Sequence, residues 1–217
     1  MGRPRQFDES NLLDVAIEQF WSKGFDDTSV DDVSQIANVG NGSIYAAYGS
    51  KRGLFLAAFT RYCDRRAAFV RETVLAAPGS ARAAVLTLLR AIVDDCAAQP
   101  HRRGCLMINS VAALGGRIPE VAEIGARTTA AMEDAVAERL RRVAPVGDHK
   151  AIAVLSAHII LVSQGLIQLS RLHASVRRLH EIAEASLGAL PTAWADRIEP
   201  RKAHVRIAAA AKSGARE

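Results

Sequence analysis

Residues 35–51 read QIANVGNGSIYAAYGSK, and the run reads as a helix broken twice. Apolar residues recur at helical spacing, yet Gly40, Gly42 and Gly49 interrupt them. A glycine inside a helix costs about 1 kcal/mol against alanine, so three of them argue for short elements and turns. The spacing predicts a tight turn at Asn38–Gly40 and a helix of barely two turns from Asn41 to Tyr48. A Gly49-Ser50 break then opens a long helix from Lys51 to Leu75. Ile44 and Tyr48, four apart, share the inward face, which leaves Asn41, Ser43, Tyr45 and Ala47 pointing elsewhere.

Working upstream, a first helix runs from Glu9 to Lys23 with Leu12, Leu13, Ala16, Ile17, Phe20 and Trp21 as its apolar stripe and Gly24 as its stop. Two overlapping capping boxes follow, Thr28 with Asp31 and Ser29 with Asp32, and either one starts a second helix near Ser29. Its buried face is Val30, Val33, Ile36 and Ala37, and it ends at Asn38, a residue that tolerates left-handed geometry. Two helices joined by so short a turn, the second one brief, form a helix-turn-helix. Ala37 is small enough for two backbones to cross closely. Gly42 lets its face approach a large flat partner, and Asn41, Ser43 and Tyr45 have the reach for base edges or phosphates. Lys51-Arg52 open the next helix against its macrodipole, an arrangement that a phosphate bound there would stabilise. Ahead of everything, Gly2-Arg3-Pro4-Arg5 is a basic arm suited to a minor groove.

The whole chain has 217 residues, 49% of them hydrophobic and 24% charged, which is enough for a real core in a soluble domain or a small domain joined to a larger one. The net charge of +5 is unevenly spread. The first 75 residues carry nine Lys/Arg against ten Asp/Glu, while residues 200–217 carry five against one. A nucleic-acid role for the first segment therefore rests on where its charges lie. The odd number of cysteines, Cys63, Cys96 and Cys105, is no disulfide framework, and the first residues show no apolar signal run, so the cytoplasm is the expected compartment. Residues 151–169 are nineteen residues without a charge, near the length of a membrane span. Ser156, His158, Ser163, Gln164 and Gln168 are spread along them, which favours a helix buried on two sides and no membrane.

At this point a family likeness is visible. Residues 7–62 resemble the N-terminal DNA-binding domain of the TetR family of bacterial regulators. The likeness is carried by the aromatics of the first helix, GFDDTS at 24–29, the Ile36-Ala37 turn, GSIY at 42–45 and Ser50-Lys51. The resemblance implies an all-α homodimer: a three-helix helix-turn-helix domain and a C-terminal helical ligand-binding and dimerisation domain. It also implies a repressor released from double-stranded operator DNA by a small-molecule inducer. Tyr45 and Lys51 match positions that hold backbone phosphate, and Thr28 and Ser43 match polar positions that touch DNA. Gly40, Asn41 and Ala47 depart from the common Ser or Thr, Lys and His, which leaves the operator unread. The expected DNA-binding set is Arg3, Arg5, Thr28, Ser29, Gly40, Asn41, Gly42, Ser43, Tyr45 and Lys51.

After a breaker at 76–80, helical patterns recur near 80–98, 104–114, 119–143, 148–173 and 175–190, and no segment alternates with period two. The expected organisation is an arm at 1–6, a DNA-binding domain at 7–75, a ligand-binding and dimerisation domain at 80–198 and a basic tail at 199–217. Residues 101–116, HRRGCLMINSVAALGG, resemble a subgroup with a Gly-Cys-Leu motif, some of whose members sense electrophiles or oxidants. Cys105 at a helix start after Arg102 and Arg103 is the expected sensor, and Asn109, His158 and Gln164 are expected to line a pocket with it. Cys96, His101 and Cys105 have no standard zinc spacing, so neither a metal nor a cofactor is expected. A thiol enzyme using Cys105 with His101 lacks an orienting third group; it stays an alternative to a non-enzymatic regulator, as does an activator. The helices at 148–173 and 175–190, the second with Val176, Leu179, Ile182, Ala183, Ser186, Leu187 and Leu190 on one face, are expected to form a four-helix dimer interface.

Overall fold

The computed structural model describes residues 7–198. The basic arm with Arg3 and Arg5 and the tail at 199–217 lie outside the described residues. Among the described residues there are ten α-helices and no strand: α1 Glu9–Lys23, α2 Val30–Ala37, α3 Asn41–Tyr48, α4 Lys51–Ala76, α5 Ala81–Ala98, α6 Leu106–Leu114, α7 Pro119–Arg141, α8 His149–Arg171, α9 Val176–Ser186 and α10 Thr192–Ala195.

Local chemistry accounts for the starts and stops. The Asp8 carboxylate caps α1 by accepting from the amides of Ser10 and Asn11, and Gly24 ends it at φ 86°. Of the two overlapping capping boxes, the Ser29–Asp32 one forms: Ser29 Oγ accepts from Asp32 N while the Asp32 carboxylate accepts from Ser29 N. Asn38 closes α2 in the left-handed region, and Gly49 closes α3 at φ 74°. Ser50, Ser80 and Ser175 cap α4, α5 and α9, each accepting an amide with its hydroxyl, while Pro119 opens α7.

Two expectations about faces are corrected. Ile36 is 57% exposed, because the short α2 buries the stripe Val30–Val33–Ala37 and Ile36 lies about a quarter-turn away from it. The pattern at 175–190 is not one helix: α9 stops at Ser186, a 3₁₀ turn covers Leu187–Ala189, and α10 follows, burying Trp194.

α4 is the spine of the molecule. It packs on α1 and α3, on α5 and α6, and most extensively on α7. The Asp14 carboxylate on α1 takes both Arg61 and Arg65 of α4, and further along α4 Arg66 pairs with Asp95 of α5 and Arg71 with Glu138 of α7. An aromatic cluster of Phe20, Phe25, Phe55 and Phe59 fills the space between α1 and α4, with centroid spacings of 5.0–6.1 Å. In the second half α8 packs on α7, α5 and α9. α8 is long and apolar enough to cross a membrane by length and composition. One side of it is covered by those neighbours, whereas Val154, Leu161 and Leu172 on the other are exposed, so within the protomer it is not buried on two sides as its sequence suggests.

Candidate functional site

The recognition element α3 is held by small contacts at both ends. Gly40 at its N-cap supplies no side-chain hydrogen bond, and the Asn41 amide donates to the Asp31 carboxylate on α2 instead. Ile44 is buried and anchors α3 to the core, whereas Gly42, Ser43 and the half-exposed Tyr45 lie on the surface. A Cβ added to Gly42 would meet nothing within 4 Å, so this face is open for a close approach. Tyr48 is half-buried and its hydroxyl donates to Glu9 Oε1 at 3.0 Å, tying α3 to α1.

A groove of about 320 Å³ joins these groups. Tyr45 and Lys51 line one part of it, and Asp26 to Asp31 line the rest. The capping box occupies the amides of Ser29 and Asp32, which leaves those of Val30 and Asp31 without an intrahelical acceptor. Lys51 Nζ is held beside them by Asp26 O at 2.9 Å and by the Phe25 ring at 4.7 Å. Of the acids that line the groove, Asp26 is held below its usual range by two hydrogen bonds from Arg117, and Asp31 accepts from the Asn41 amide. Next to it on α2, outside the groove lining, Ser29, then Lys23, hold Asp32 down to about 2.

Three sequence expectations change here. Thr28 is 1% exposed and its hydroxyl donates to Gly24 O at 2.7 Å and Gln19 O at 3.2 Å, so its side chain is a strut inside the α1–α2 turn and not a surface contact. Ser29 spends its hydroxyl on the capping box. The Lys51-Arg52 pair splits: Lys51 leans toward the α2 N-terminus, while Arg52 pairs with Glu120 of α7 at 2.5 Å. A phosphate at the start of α4 taking both cations is not what the side chains are set up for. Gly53 carries no signal in the helical pattern, yet a Cβ there would sit 2.0 Å from Tyr48 O, so only glycine lets α4 begin against the end of α3.

The expected sensor residues do not share one cavity. Cys105 is the N-cap of α6 and 6% exposed; its Sγ accepts from Tyr62 Oη at 3.4 Å, and the same oxygen accepts from Leu106 N at 3.3 Å. Burial, reinforced by the neighbouring thiol, pushes the Tyr62 hydroxyl well above its usual range and keeps it a neutral donor. The two cations beside the thiol in sequence are committed elsewhere. Arg102 donates to Ala174 O at 2.7 Å, and Arg103 grips Glu18 at 2.5 and 2.7 Å while stacking on Trp21 at 4.2 Å.

Gln164 lines an open-sided cavity of about 610 Å³ between α6, α7 and α8, with buried Met107 and Gly125 at its base and exposed Val111, Ala112 and Ala126 among its lining. A Cβ on Gly125 would meet Val111 Cγ2 at 2.7 Å, so glycine is what lets α6 and α7 come this close. Asn109 lies instead in a cleft of about 590 Å³ between α1 and α6. His158 lies in neither: it falls on the α8 stripe that also carries Val154, Leu161, Gly165 and Leu172, of which Val154, Leu161 and Leu172 are 62%, 65% and 77% exposed. Among the described residues no three His, Cys, Asp or Glu side chains converge as a metal site.

Comparison with known proteins adds the following. The profile described as bacterial regulatory proteins, tetR family, matches residues 12–58. The chain is 30% identical over 194 residues to the uncharacterized HTH-type transcriptional regulator YezE of Bacillus subtilis strain 168, covering 88% of this chain and 100% of that protein. It is 28% identical over 193 residues to the HTH-type transcriptional repressor ComR of Escherichia coli K12, covering 88% and 92%. Among solved structures it is similar to a cysteine-substituted TetR family transcriptional regulator CifR complexed with 26-bp double-strand operator DNA. There the TM-score is 0.71 and the identity 30%, over 88% of this chain and 100% of that one.

Proposed function

The chain belongs to the TetR family of transcriptional regulators, and we propose that it is a cytoplasmic, homodimeric repressor whose operator is released when a small molecule fills the cavity between α6, α7 and α8. The observation that carries the DNA-binding part is the groove where Tyr45, Lys51 and the free N-terminal amides of α2 converge. An aromatic hydroxyl, an ammonium and two amides are the donors a backbone phosphate takes. Asn41, Gly42 and Ser43, on the exposed start of α3, are then the groups offered to base edges, with the Arg3 and Arg5 arm reaching the flanking minor groove.

The division of labour follows the proposed boundaries, DNA binding at 7–75 and ligand binding with dimerisation at 80–198. The cavity supports the inducer role because it is largely apolar with Thr129, Glu133 and Gln164 as its polar side chains, the composition expected of a small-molecule site. The exposed stripe of α8 supports the dimer: Val154, Leu161, Gly165 and Leu172 lie on one line of the helix, and a two-fold partner would cover them. Thiol sensing at Cys105 needs the Tyr62–Cys105 contact to open before a reagent reaches the sulfur.

Selection of duplexes from a random-sequence pool by the purified protein tests the reading. A pseudo-palindromic site is expected, its half-sites about one helical turn or a multiple apart. A pool with no enriched sequence after several rounds overturns it.

A further inference from the structure

The cleft between α1 and α6 adjoins the cavity proposed for the inducer, with Ile108 and Ala112 lining both, and its walls belong to both halves of the molecule. Phe20, Trp21 and Phe25 come from the DNA-binding side, and Leu106, Asn109 and Arg171 from the other. Arg171 is posed in it with some care. Its stem packs over Gly104, where a Cβ would stand 3.3 Å from Arg171 Cδ, and where the backbone is left-handed at φ 79°. Its guanidinium donates to Asn109 Oδ1 at 2.8 Å, and Asn109 is itself fixed by donating from Nδ2 to Arg103 O at 2.9 Å.

The other charged groups of the cleft are mostly taken. Lys23 is paired with Asp32, and Asp26 with Arg117. Among the described residues no carboxylate oxygen comes within 4.0 Å of Arg171. Arginine carries five N–H donors in a fork that fits a carboxylate; Arg171 is exposed, and its one bond to a neutral amide leaves the other donors to water, which a carboxylate can replace. The Trp21 ring forms part of the same wall, while its indole nitrogen is shielded from solvent and so is not offered to an occupant. The rest of the wall is aromatic and aliphatic.

We infer that this cleft is a second effector site, taking a small organic carboxylate with an apolar body. The carboxylate lies on Arg171 and the body against Phe20, Trp21 and Leu106. An occupant touches α1 on one side and α6 and α8 on the other, next to the Arg103–Glu18 bridge that spans the same gap. It therefore stabilises this arrangement of the two halves.

The test is calorimetric titration of the full-length protein with octanoate and naphthalene-2-carboxylate, and with the neutral amides of both acids. At least one carboxylate is expected to bind more tightly than its amide. Arg171→Gln should weaken that binding by about tenfold, the loss of one charge-assisted contact. Gln164→Ala in the other cavity should leave it unchanged. Thermal unfolding of each variant separates lost binding from lost folding. No heat from either carboxylate up to about 1 mM, a range that still detects weak sites, overturns the inference. Unchanged binding in Arg171→Gln, or loss in Gln164→Ala instead, overturns it equally. Operator binding without ligand is measured separately, so this site and the DNA-binding reading fail independently.

Discussion

Lys51 shows how much one side chain is asked to do. Its ammonium is pinned to Asp26 O and the Phe25 ring, beside the free amides that open α2. If that group holds a phosphate, Lys51→Ala should weaken binding to operator and to random DNA by similar factors. It should also lower the slope of log affinity against log salt by about one unit. Tyr45→Phe, removing one neutral hydrogen bond, should weaken both without moving the slope. Anisotropy titrations at several salt concentrations read both quantities, and a Lys51→Ala protein with unchanged slope removes Lys51 from the phosphate. Asp32 gives a second residue-scale expectation. Its pKa is about 2 in the folded protein against an ordinary 3.8, so the capping box stabilises the fold above about pH 4. That contribution is lost as pH falls through about 2. Urea midpoints of the parent and Asp32→Asn should therefore stay apart near neutrality and converge between about pH 4 and 2. A gap that does not change with pH rules this out.

Among the elements, α8 and α9 divide the second half differently from what their patterns suggest. The apolar face of α9 and the turn after it, Leu179, Ala183, Leu187 and Leu190, is buried within the protomer against α5 and α8. What is left uncovered is the α8 stripe, with Leu161 at 65% exposure against 8% for Leu187. Leu161→Arg is therefore expected to yield a folded monomer that has lost operator affinity, since two recognition helices must be fixed relative to each other. Leu187→Arg, placing a charge in the core, should instead cost about 3 kcal/mol or more of stability. Light scattering with circular dichroism distinguishes the two, and a dimeric Leu161→Arg protein would move the interface elsewhere.

For the molecule as a whole the question is how a filled cavity reaches the DNA. The halves are joined by arginines: Arg103 to Glu18, Arg117 to Asp26 and Arg52 to Glu120. Asp26 is the shared node, since its carboxylate binds Arg117 of the α6–α7 link while its carbonyl holds Lys51. A compound that fills the α6–α7–α8 cavity should raise the thermal midpoint and lower operator affinity, and by linkage operator DNA must lower its affinity by the same factor, about 5–150-fold for a typical coupling. Ala126→Phe, which occupies the cavity from α7, should abolish the thermal shift produced by any such compound. A compound that still shifts the midpoint of Ala126→Phe binds somewhere else.

Read without coordinates, the chain already determined its class and its working end. The cap at Ser29, the stops at Gly24, Asn38 and Gly49 and the helical periods are local signals, and local hydrogen bonding decides them. The helix-turn-helix and the surface placement of Ser43 and Tyr45 follow from the same short-range rules. Tertiary structure alone decided which groups meet over long separations. Thr28 turns inward onto Gly24 O and Arg52 leaves Lys51 for Glu120; Gly53 is required by Tyr48 O, and Asn109, Gln164 and His158 part into a cleft, a cavity and an exposed stripe. The period of a helix tells which residues share a face, whereas the neighbour that covers the face is set by how the helices pack on one another, and no spacing within one helix encodes that.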